Sequence, residues 1–342
     1  MADSASLPRV LVDRHPAARR EEWESLSQVA ELVEVDRETP YSEEELIAAL
    51  QGFSGVIRLG RLLPDISRQV MEACPELRIV GVRSDRFGRG IDLEAAEERG
   101  VVAVDTDNIA SAHPVAEWDL ALMLFCLRNG AAVYRQMMAG TERWANAGNE
   151  EYVCGELTEK RVGLIGCGHV GQRLIELLAP FRVDLKVCDP YLPEGVATRL
   201  GIVRGELDEV LDHAQILVVQ VPLTPKTTHL IGEREFDLLG RGKILINCSR
   251  GRVIDQAALI RRLQAGDLIA GLDVFDPEPL EKESPLRALP NVFLSPHIAW
   301  YSPDTAHRYF GYTAREFERF FRGEPLEFRL TRRMVDIRHG RL

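Results

Sequence analysis

Short apolar runs rich in β-branched residues alternate along this chain with segments in which apolar residues recur at helical spacing. In the first third, four runs predict strands: RVLVD (9–13), GVIRLG (55–60), LRIVGV (77–82) and VVAVD (101–105). Segments such as SEEELIAAL (42–50) and DISRQVMEAC (65–74) predict helices between them. This alternation is typical of a parallel sheet with helices on both faces, so the pattern predicts an α/β domain.

A second series follows a long apolar helix predicted over 113–128. Its six strand candidates are RVGLIG (161–166), DLKVCD (184–189), ILVVQV (216–221), KILINCS (243–249), LIAGLDV (268–274) and VFLSPH (292–297). Six strands with intervening helices match a doubly wound dinucleotide-binding (Rossmann) domain. The last helical segment, 304–321, has no strand left in this sheet and is assigned to the first domain. We therefore predict two doubly wound parallel-sheet domains, with the nucleotide-binding domain (111–300) inserted into a discontinuous substrate domain (1–110 and 301–342).

A glycine-rich loop follows the first strand of the second series. VGLIGCGHVG (162–171) places Gly166, Gly168 and Gly171 in G-x-G-x-x-G spacing before an amphipathic helix. Such glycines let backbone N–H groups approach a pyrophosphate at a helix N-terminus. Asp189 ends the next strand, where a carboxylate binds the adenosine ribose and repels a 2′-phosphate. We therefore predict that this loop binds NAD and is not an ordinary strand-to-helix turn.

Composition narrows the function classes. The formal charge is -11 over 342 residues, which argues against a broad surface for nucleic acid. The longest uninterrupted apolar stretch, 120–127, is too short for a bilayer, and the start MADSASLPRV lacks a secretory pattern, so we expect a cytoplasmic protein without a membrane partner. Six cysteines without a C-x-x-C pair suggest neither a metal site nor a disulfide framework.

Three further segments each follow a predicted strand at its carboxyl end, where ligands bind in open α/β sheets: NCSRGRVID (247–255), GLDVFDPEPL (271–280) and SPHIAW (295–300). They supply Arg250, Glu278 and His297. An arginine can hold a carboxylate in a two-pronged grip, a histidine can exchange a proton at neutral pH, and a carboxylate can orient its ring. This set suits reversible oxidation of a carbinol next to a carboxylate.

These segments, with GIDLEAAEERGVVAVD (90–105), HPVAEWDLALMLFCLR (113–128), VPLTPKTTHLI (221–231) and FFRGEPL (320–326), resemble the D-isomer-specific 2-hydroxyacid dehydrogenases over nearly the whole chain. The resemblance implies NAD-dependent reduction of a 2-oxo acid to a D-2-hydroxy acid. It makes His297 the general acid or base, Glu278 its partner, and Arg250 the residue that binds and polarises the substrate. It also implies cofactor contacts from the glycine loop and the strand ends, namely His169, Val170, Asp189, Val221, Pro222, Cys248, Ser249 and Asp273.

One loop departs from the family. Where relatives usually have a small Gly-rich turn that binds the substrate carboxylate, GVRSDRFGRGID (81–92) has Ser84 and Asp85 among Arg83, Arg86 and Arg89. The arginines either bind a second anionic group of the substrate, such as a phosphonate, phosphate or carboxylate, or point to solvent and pair with Asp85 and Asp92. A second departure follows His297, where Trp300 either walls the substrate pocket or packs between domains.

A different class of function is suggested by the AWYS run (299–302), which resembles the C-terminal-binding corepressors. The chain would then be an NAD(H)-sensing scaffold with little turnover, but the complete Arg, Glu, His set favours an enzyme. The resemblance also implies a homodimer, with 113–128 and 130–148 as the interface. The arginine-rich end, 329–342, is predicted to be a solvated or partly ordered tail.

Overall fold

The computed structural model describes residues 6–13, 23–142, 144 and 155–342, and the chain divides into two compact units. Unit 1 comprises Met1–Ser111 and Ser302–Leu342, and unit 2 comprises Ala112–Tyr301. Each unit is built on one parallel sheet covered by helices. The predicted fold class, two doubly wound α/β domains with one inserted into the other, is confirmed.

Unit 1 opens with five strands in the order β2-β1-β3-β4-β5. The strands are β1 (Arg9–Asp13), β2 (Glu31–Glu34), β3 (Gly55–Arg58), β4 (Ile79–Val82) and β5 (Val102–Asp105), and the helices among them are α1 (Glu24–Ser27), α2 (Glu43–Ala49), α3 (Arg68–Ala73), α4 (Leu93–Arg99) and α5 (Asp107–Ala110). The helices α2, α3 and α4 begin after Ser42, Ser67 and Asp92, whose side chains accept a backbone N–H of the first turn. The edge strand β2 is not among the strands predicted from the sequence.

Unit 2 holds seven parallel strands in the order β12-β11-β10-β9-β6-β7-β8. Its elements are α6 (Ala112–Leu127), α7 (Gly130–Ala139), β6 (Arg161–Ile165), α8 (His169–Leu178), β7 (Asp184–Cys188), α9 (Glu194–Leu200), β8 (Val203–Arg204), α10 (Leu207–His213), β9 (Ile216–Val219), α11 (Glu233–Leu239), β10 (Lys243–Asn247), α12 (Gln256–Gln264), β11 (Leu268–Leu272) and β12 (Val292–Leu294). The six predicted strands are present, and the two-residue β8 was missed. Strand order reverses between β6 and β9, the point at which such sheets bind nucleotides.

Two helices complete unit 1: α13 (Pro303–Arg322) and α14 (Arg332–Arg338). Phe310 and Phe317 of helix α13 are fully buried and pack in an apolar core against residues of the sheet. The prediction of a solvated tail is wrong, because α14 is a capped helix and the side chains of Leu330 and Val335 are buried in the second core of the unit. The many arginines of 329–342 favoured a solvated segment, although its apolar residues Leu330 and Val335 pack into the core.

The central strands of unit 2 are buried on both faces, which explains their near-continuous apolar sequences. Helix α6 packs on one face through residues such as Leu122 and Met123. Within the described part of the chain, no helix combines the length and the apolar character that crossing a bilayer requires.

Candidate active site

The glycine loop of unit 2 joins β6 to α8 at the switch point of the sheet. Gly166 has φ +93, and a Cβ there would lie 2.4 Å from the carbonyl oxygen of Gln220; one at Gly171 would lie 2.6 Å from that of Gly166. The packing of the chain itself therefore requires these two glycines. At Gly168, the N-cap of α8, a Cβ would meet nothing within 4 Å. This open space suits a group from outside the chain, and a pyrophosphate fits because N–H groups of the first helical turn face it.

Asp189 lies one residue beyond β7 and ties the glycine loop to this strand. One carboxylate oxygen accepts the N–H of Cys167 at 2.8 Å, and the other accepts the N–H of Tyr191 at 2.8 Å. Both contacts fix the carboxylate beside the glycine loop, the position from which a ribose hydroxyl is bound in this fold.

The other predicted cofactor residues lie along the same edge of the sheet. His169 and Val170 form the start of α8, Val221 and Pro222 follow β9, and Cys248 and Ser249 follow β10. The hydroxyl of Ser249 donates to Asn247 Oδ1 at 2.8 Å, which holds this loop against the end of its own strand. Their contacts with NAD remain predictions, and the structure places them where such contacts are made.

Two predicted catalytic residues are in direct contact. Glu278 Oε2 lies 2.8 Å from His297 Nδ1, and Glu278 Oε1 accepts the N–H of Phe275 at 3.0 Å. Each side chain is about one-third exposed, so the pair is open to a ligand. Because Glu278 engages Nδ1, it leaves Nε2 as the ring nitrogen for a substrate.

Asp273 holds the turn that carries His297. The backbone of His297 is left-handed (φ 56), a conformation that costs a residue other than glycine about 1–2 kcal/mol. The carboxylate of Asp273 accepts the N–H groups of Ile298 (3.1 Å) and Ala299 (2.9 Å) and the Ser295 hydroxyl (2.6 Å). These bonds offset the backbone cost, so Asp273, predicted as a cofactor contact, also shapes the turn of the histidine.

Arg250 lies in the loop after β10, with its side chain exposed and Nη1 donating to its neighbour Ser249 O at 2.6 Å. The next residue must be glycine, since a Cβ at Gly251 would lie 1.8 Å from the carbonyl oxygen of Phe275. This close approach brings the Arg250 loop against the loop that carries Glu278. Trp300 is 38% exposed and packs edge-on against Tyr301, with ring centroids 5.5 Å apart.

Asp119 is a buried carboxyl on α6 that the sequence analysis missed. It is completely buried, accepts a hydrogen bond from Gln220 Nε2 at 2.7 Å and has the thiol of Cys248 as another neighbour. Burial raises the pKa of Asp119 to about 8, against the lowering effect of these hydrogen bonds. The signal in the sequence was a carboxylate directly before the apolar run 120–127.

Replacing Asp119 by asparagine is expected to flatten the pH dependence of stability. Between the ordinary carboxyl pKa and the raised one, the folded state binds the extra proton, so rising pH lowers the free energy of unfolding by up to about 1.4 kcal/mol per pH unit. In D119N this loss disappears, and the variant should exceed the wild type in stability at pH 8. Urea unfolding at pH 5 to 8 measures this, with the exposed Asp212→Asn as control. Equal slopes for D119N and the wild type would contradict the assignment.

The remaining predicted residues lie in unit 1, in the loop after β4. The Asp105 carboxylate accepts the Ser84 hydroxyl (2.6 Å) and the Arg86 N–H (2.8 Å). Asp85 forms an ion pair with Arg338 (3.1 Å), and burial, with the charge of Arg338, lowers the pKa of Arg86. The side chain of Asp92 accepts the N–H of Ala95 as the cap of α4.

Arg83 is held in place by two neighbours. Its Nε pairs with Asp107 Oδ1 at 3.0 Å, and its guanidinium carbon lies 4.2 Å from the ring centroid of Tyr309. It therefore pairs with neither of the carboxylates expected from the sequence.

Arg83 and Arg89 line a pocket of about 680 Å³ within unit 1, together with Arg58, Asp65, Ser67, Gly88, Gly90, Ile91 and Asp92. Arg58, which the sequence analysis also missed, pairs with Asp65 at 2.9 Å.

A dinucleotide-binding sheet whose edge carries a carboxylate-supported histidine defines an NAD-dependent oxidoreductase. Residues 120–299 match the model of the D-isomer specific 2-hydroxyacid dehydrogenase, NAD binding domain. The chain belongs to the D-isomer specific 2-hydroxyacid dehydrogenase family, and NAD is its cofactor. Family, cofactor and enzyme class, all predicted from the sequence, are confirmed.

Individual proteins similar to this chain include two enzymes matched by sequence and one matched by fold. Glyoxylate reductase of Korarchaeum cryptofilum is 30% identical over 336 residues, covering 97% of this chain and 98% of the relative. D-3-phosphoglycerate dehydrogenase of Methanocaldococcus jannaschii is 33% identical over 303 residues, 87% of this chain, and the chain spans about half (55%) of that relative. A phosphoglycerate oxidoreductase from Rhizobium etli shares the fold, with a TM-score of 0.81 at 24% identity over 94% of this chain and 97% of that one.

Proposed function

We propose that this protein reduces a 2-oxo acid bearing a second anionic group to the D-2-hydroxy acid, with NADH as reductant. Reduction of 2-oxo acids is the reaction of the family. What we propose beyond it is that the substrate bears a second anionic group. The observation that carries the proposal is the 2.8 Å contact between His297 and Glu278 on the sheet edge that also bears Arg250 and the glycine loop. Oxidation of NADH in the presence of 2-oxo acids tests it directly.

The chemistry divides between cofactor and side chains. NADH, when bound, supplies the hydride that reduces the carbonyl carbon. His297 delivers a proton from Nε2 to the carbonyl oxygen, so that C=O becomes CH–OH, and Glu278 holds the ring through Nδ1 and stabilises the protonated form. Arg250 binds the carboxylate and polarises the carbonyl of the substrate. In the reverse direction the same histidine accepts the proton.

The second anionic group is supported by the arginine pocket of unit 1. Its lining holds three arginines, Arg58, Arg83 and Arg89, against two carboxylates, Asp65 and Asp92. Asp107, which pairs with Arg83, lies outside that lining. Asp107 and Tyr309 restrain Arg83, which lowers the entropy lost when it binds an anion. Two of the relatives found are named D-3-phosphoglycerate dehydrogenase, whose name denotes a phosphate-bearing substrate.

Replacing Arg83 or Arg89 by glutamine is expected to raise KM for phosphonopyruvate and oxaloacetate about tenfold, the effect of losing one charge-assisted hydrogen bond. KM for glyoxylate, which lacks the second anion, should stay nearly unchanged. Steady-state kinetics with the three substrates measures this selectivity, and Arg99→Gln, an exposed arginine outside the pocket, is the matched control. An equal change for all three substrates would remove the second anion from the proposal.

We also infer that the protein is a homodimer that buries α7. This helix exposes Tyr134 (63%) and Met138 (70%), with Trp144 (74%) just beyond it. A second copy would cover such an apolar patch. Residues 143 and 145–148 of the predicted interface lie outside the described residues. Light scattering should give twice the chain mass for the wild type and a monomer for the double variant Met137→Lys, Met138→Lys; a monomeric wild type at micromolar concentration would refute the dimer.

A further inference from the structure

The loop Ser84–Gly90 has a backbone that needs outside support. Asp85 (φ 50) and Arg86 (φ 60) are consecutive left-handed residues, a conformation that residues other than glycine disfavour. On one side the loop is held by the sheet, because Asp105 at the end of β5 accepts the Ser84 hydroxyl and the Arg86 N–H. A bond from the Phe87 N–H to Ser84 O (2.9 Å) closes the turn.

The other side of the loop is held by α14. Arg338 Nη2 lies 3.1 Å from Asp85 Oδ1, and this ion pair is mostly buried. Just beyond the helix, His339 Nε2 lies 3.1 Å from Phe87 O, and the two rings pack edge to face. At Gly88 a Cβ would lie 3.2 Å from a methyl group of Val335, so helix and loop pack closely. Polar, aromatic and apolar contacts thus all hold the loop against α14 and His339.

Helix α14 is itself anchored to the sheet that supports the loop. The N–H of Leu330 donates to Ala103 O at 2.8 Å, and Val104 and Arg329 form an antiparallel bridge beside β5. Thr331 caps the helix by accepting the N–H of Met334 at 3.4 Å. The C-terminal segment therefore runs from the edge strand β5 to the loop and connects the two.

We propose that α14 is a positioning element that sets the conformation of the loop Ser84–Gly90 and, through it, the affinity for substrate. The inference rests on the proposed function, which assigns this loop to substrate binding. Arg338 is its principal positioning residue, since it holds the left-handed Asp85 and balances a carboxylate that would otherwise repel an anionic substrate.

The test compares Arg338→Ala with Arg333→Ala, an exposed arginine of the same helix, in the full-length protein. Hydrogen exchange over residues 84–90, where the amides of Arg86 and Phe87 are bonded, reports on the loop without any need for turnover. In R338A we expect exchange there to be about tenfold faster and KM for oxaloacetate about tenfold higher, with kcat and the Kd of NADH unchanged. R338K should recover much of both effects, and R333A should match the wild type.

The outcomes separate this inference from the proposed function. Unchanged exchange in R338A would overturn the coupling between α14 and the loop. Faster exchange with an unchanged KM would overturn the role in substrate affinity. If the wild type reduced no 2-oxo acid, the proposed function would fail, and the exchange comparison would still decide whether α14 holds the loop.

Discussion

Replacing His297 by asparagine should lower kcat about 100- to 10,000-fold, the usual contribution of a positioned general acid. Asparagine tolerates the left-handed backbone at this position, so the turn held by Asp273 should persist. The Kd of NADH should therefore stay close to that of the wild type. Steady-state kinetics together with fluorescence titration of NADH separates the loss of proton transfer from a loss of cofactor binding.

The control is His213→Asn, which alters a histidine at the opposite edge of the sheet, 3.0 Å from the carbonyl oxygen of Asp184. It should leave kcat unchanged. Glu278→Gln should cause a smaller loss than H297N and a changed pH–rate profile, because the amide still accepts a hydrogen bond but no longer offers a negative charge to the imidazolium. If H297N kept wild-type kcat, His297 would not be the proton donor.

Replacing Arg250 by glutamine is the second large change, with an expected fall in kcat/KM of about 100- to 1,000-fold. The guanidinium both binds the substrate carboxylate and polarises the carbonyl, so KM should rise and kcat should fall. Arg250→Lys should recover only part of the loss, since an ammonium keeps the charge without the planar fork.

Arg252→Gln is the matched control for this variant. Arg252 lies two residues further along the same loop, is exposed and pairs only loosely with Asp276, at 3.7 Å. It should leave both kinetic constants close to the wild type. Similar losses in R250Q and R252Q would point to disruption of the loop and not to a contact with substrate.

Features that depend on neighbours in sequence could be predicted. The glycine spacing, Asp189 at the next strand end and the three strand-end segments are local, and the doubly wound fold brings their ends to one edge. The contact of Glu278 with His297 followed from this placement together with the family resemblance. The edge strand β2 was missed because Glu31 and Glu34 flank only two apolar residues.

Features that depend on distant partners could not be predicted. The sequence suggested Asp85 and Asp92 as partners of the arginines, whereas Arg83 pairs with Asp107, 24 residues away, and Asp85 with Arg338, 253 residues away. The burial of Asp119 depends on Gln220 and on the loop after β10, elements that come together only in the folded unit. Pairing over such separations follows from the tertiary arrangement and leaves no periodic signal.

The most direct test of the proposed activity is the loss of NADH absorbance with a panel of 2-oxo acids. The panel sets pyruvate, glyoxylate and hydroxypyruvate against phosphonopyruvate, oxaloacetate and 2-oxoglutarate. We expect oxidation of NADH that is fastest with the doubly anionic acids and is about 100- to 10,000-fold slower in H297N. Tight binding of NADH without reduction of any member would contradict it and favour a scaffold that senses NAD(H).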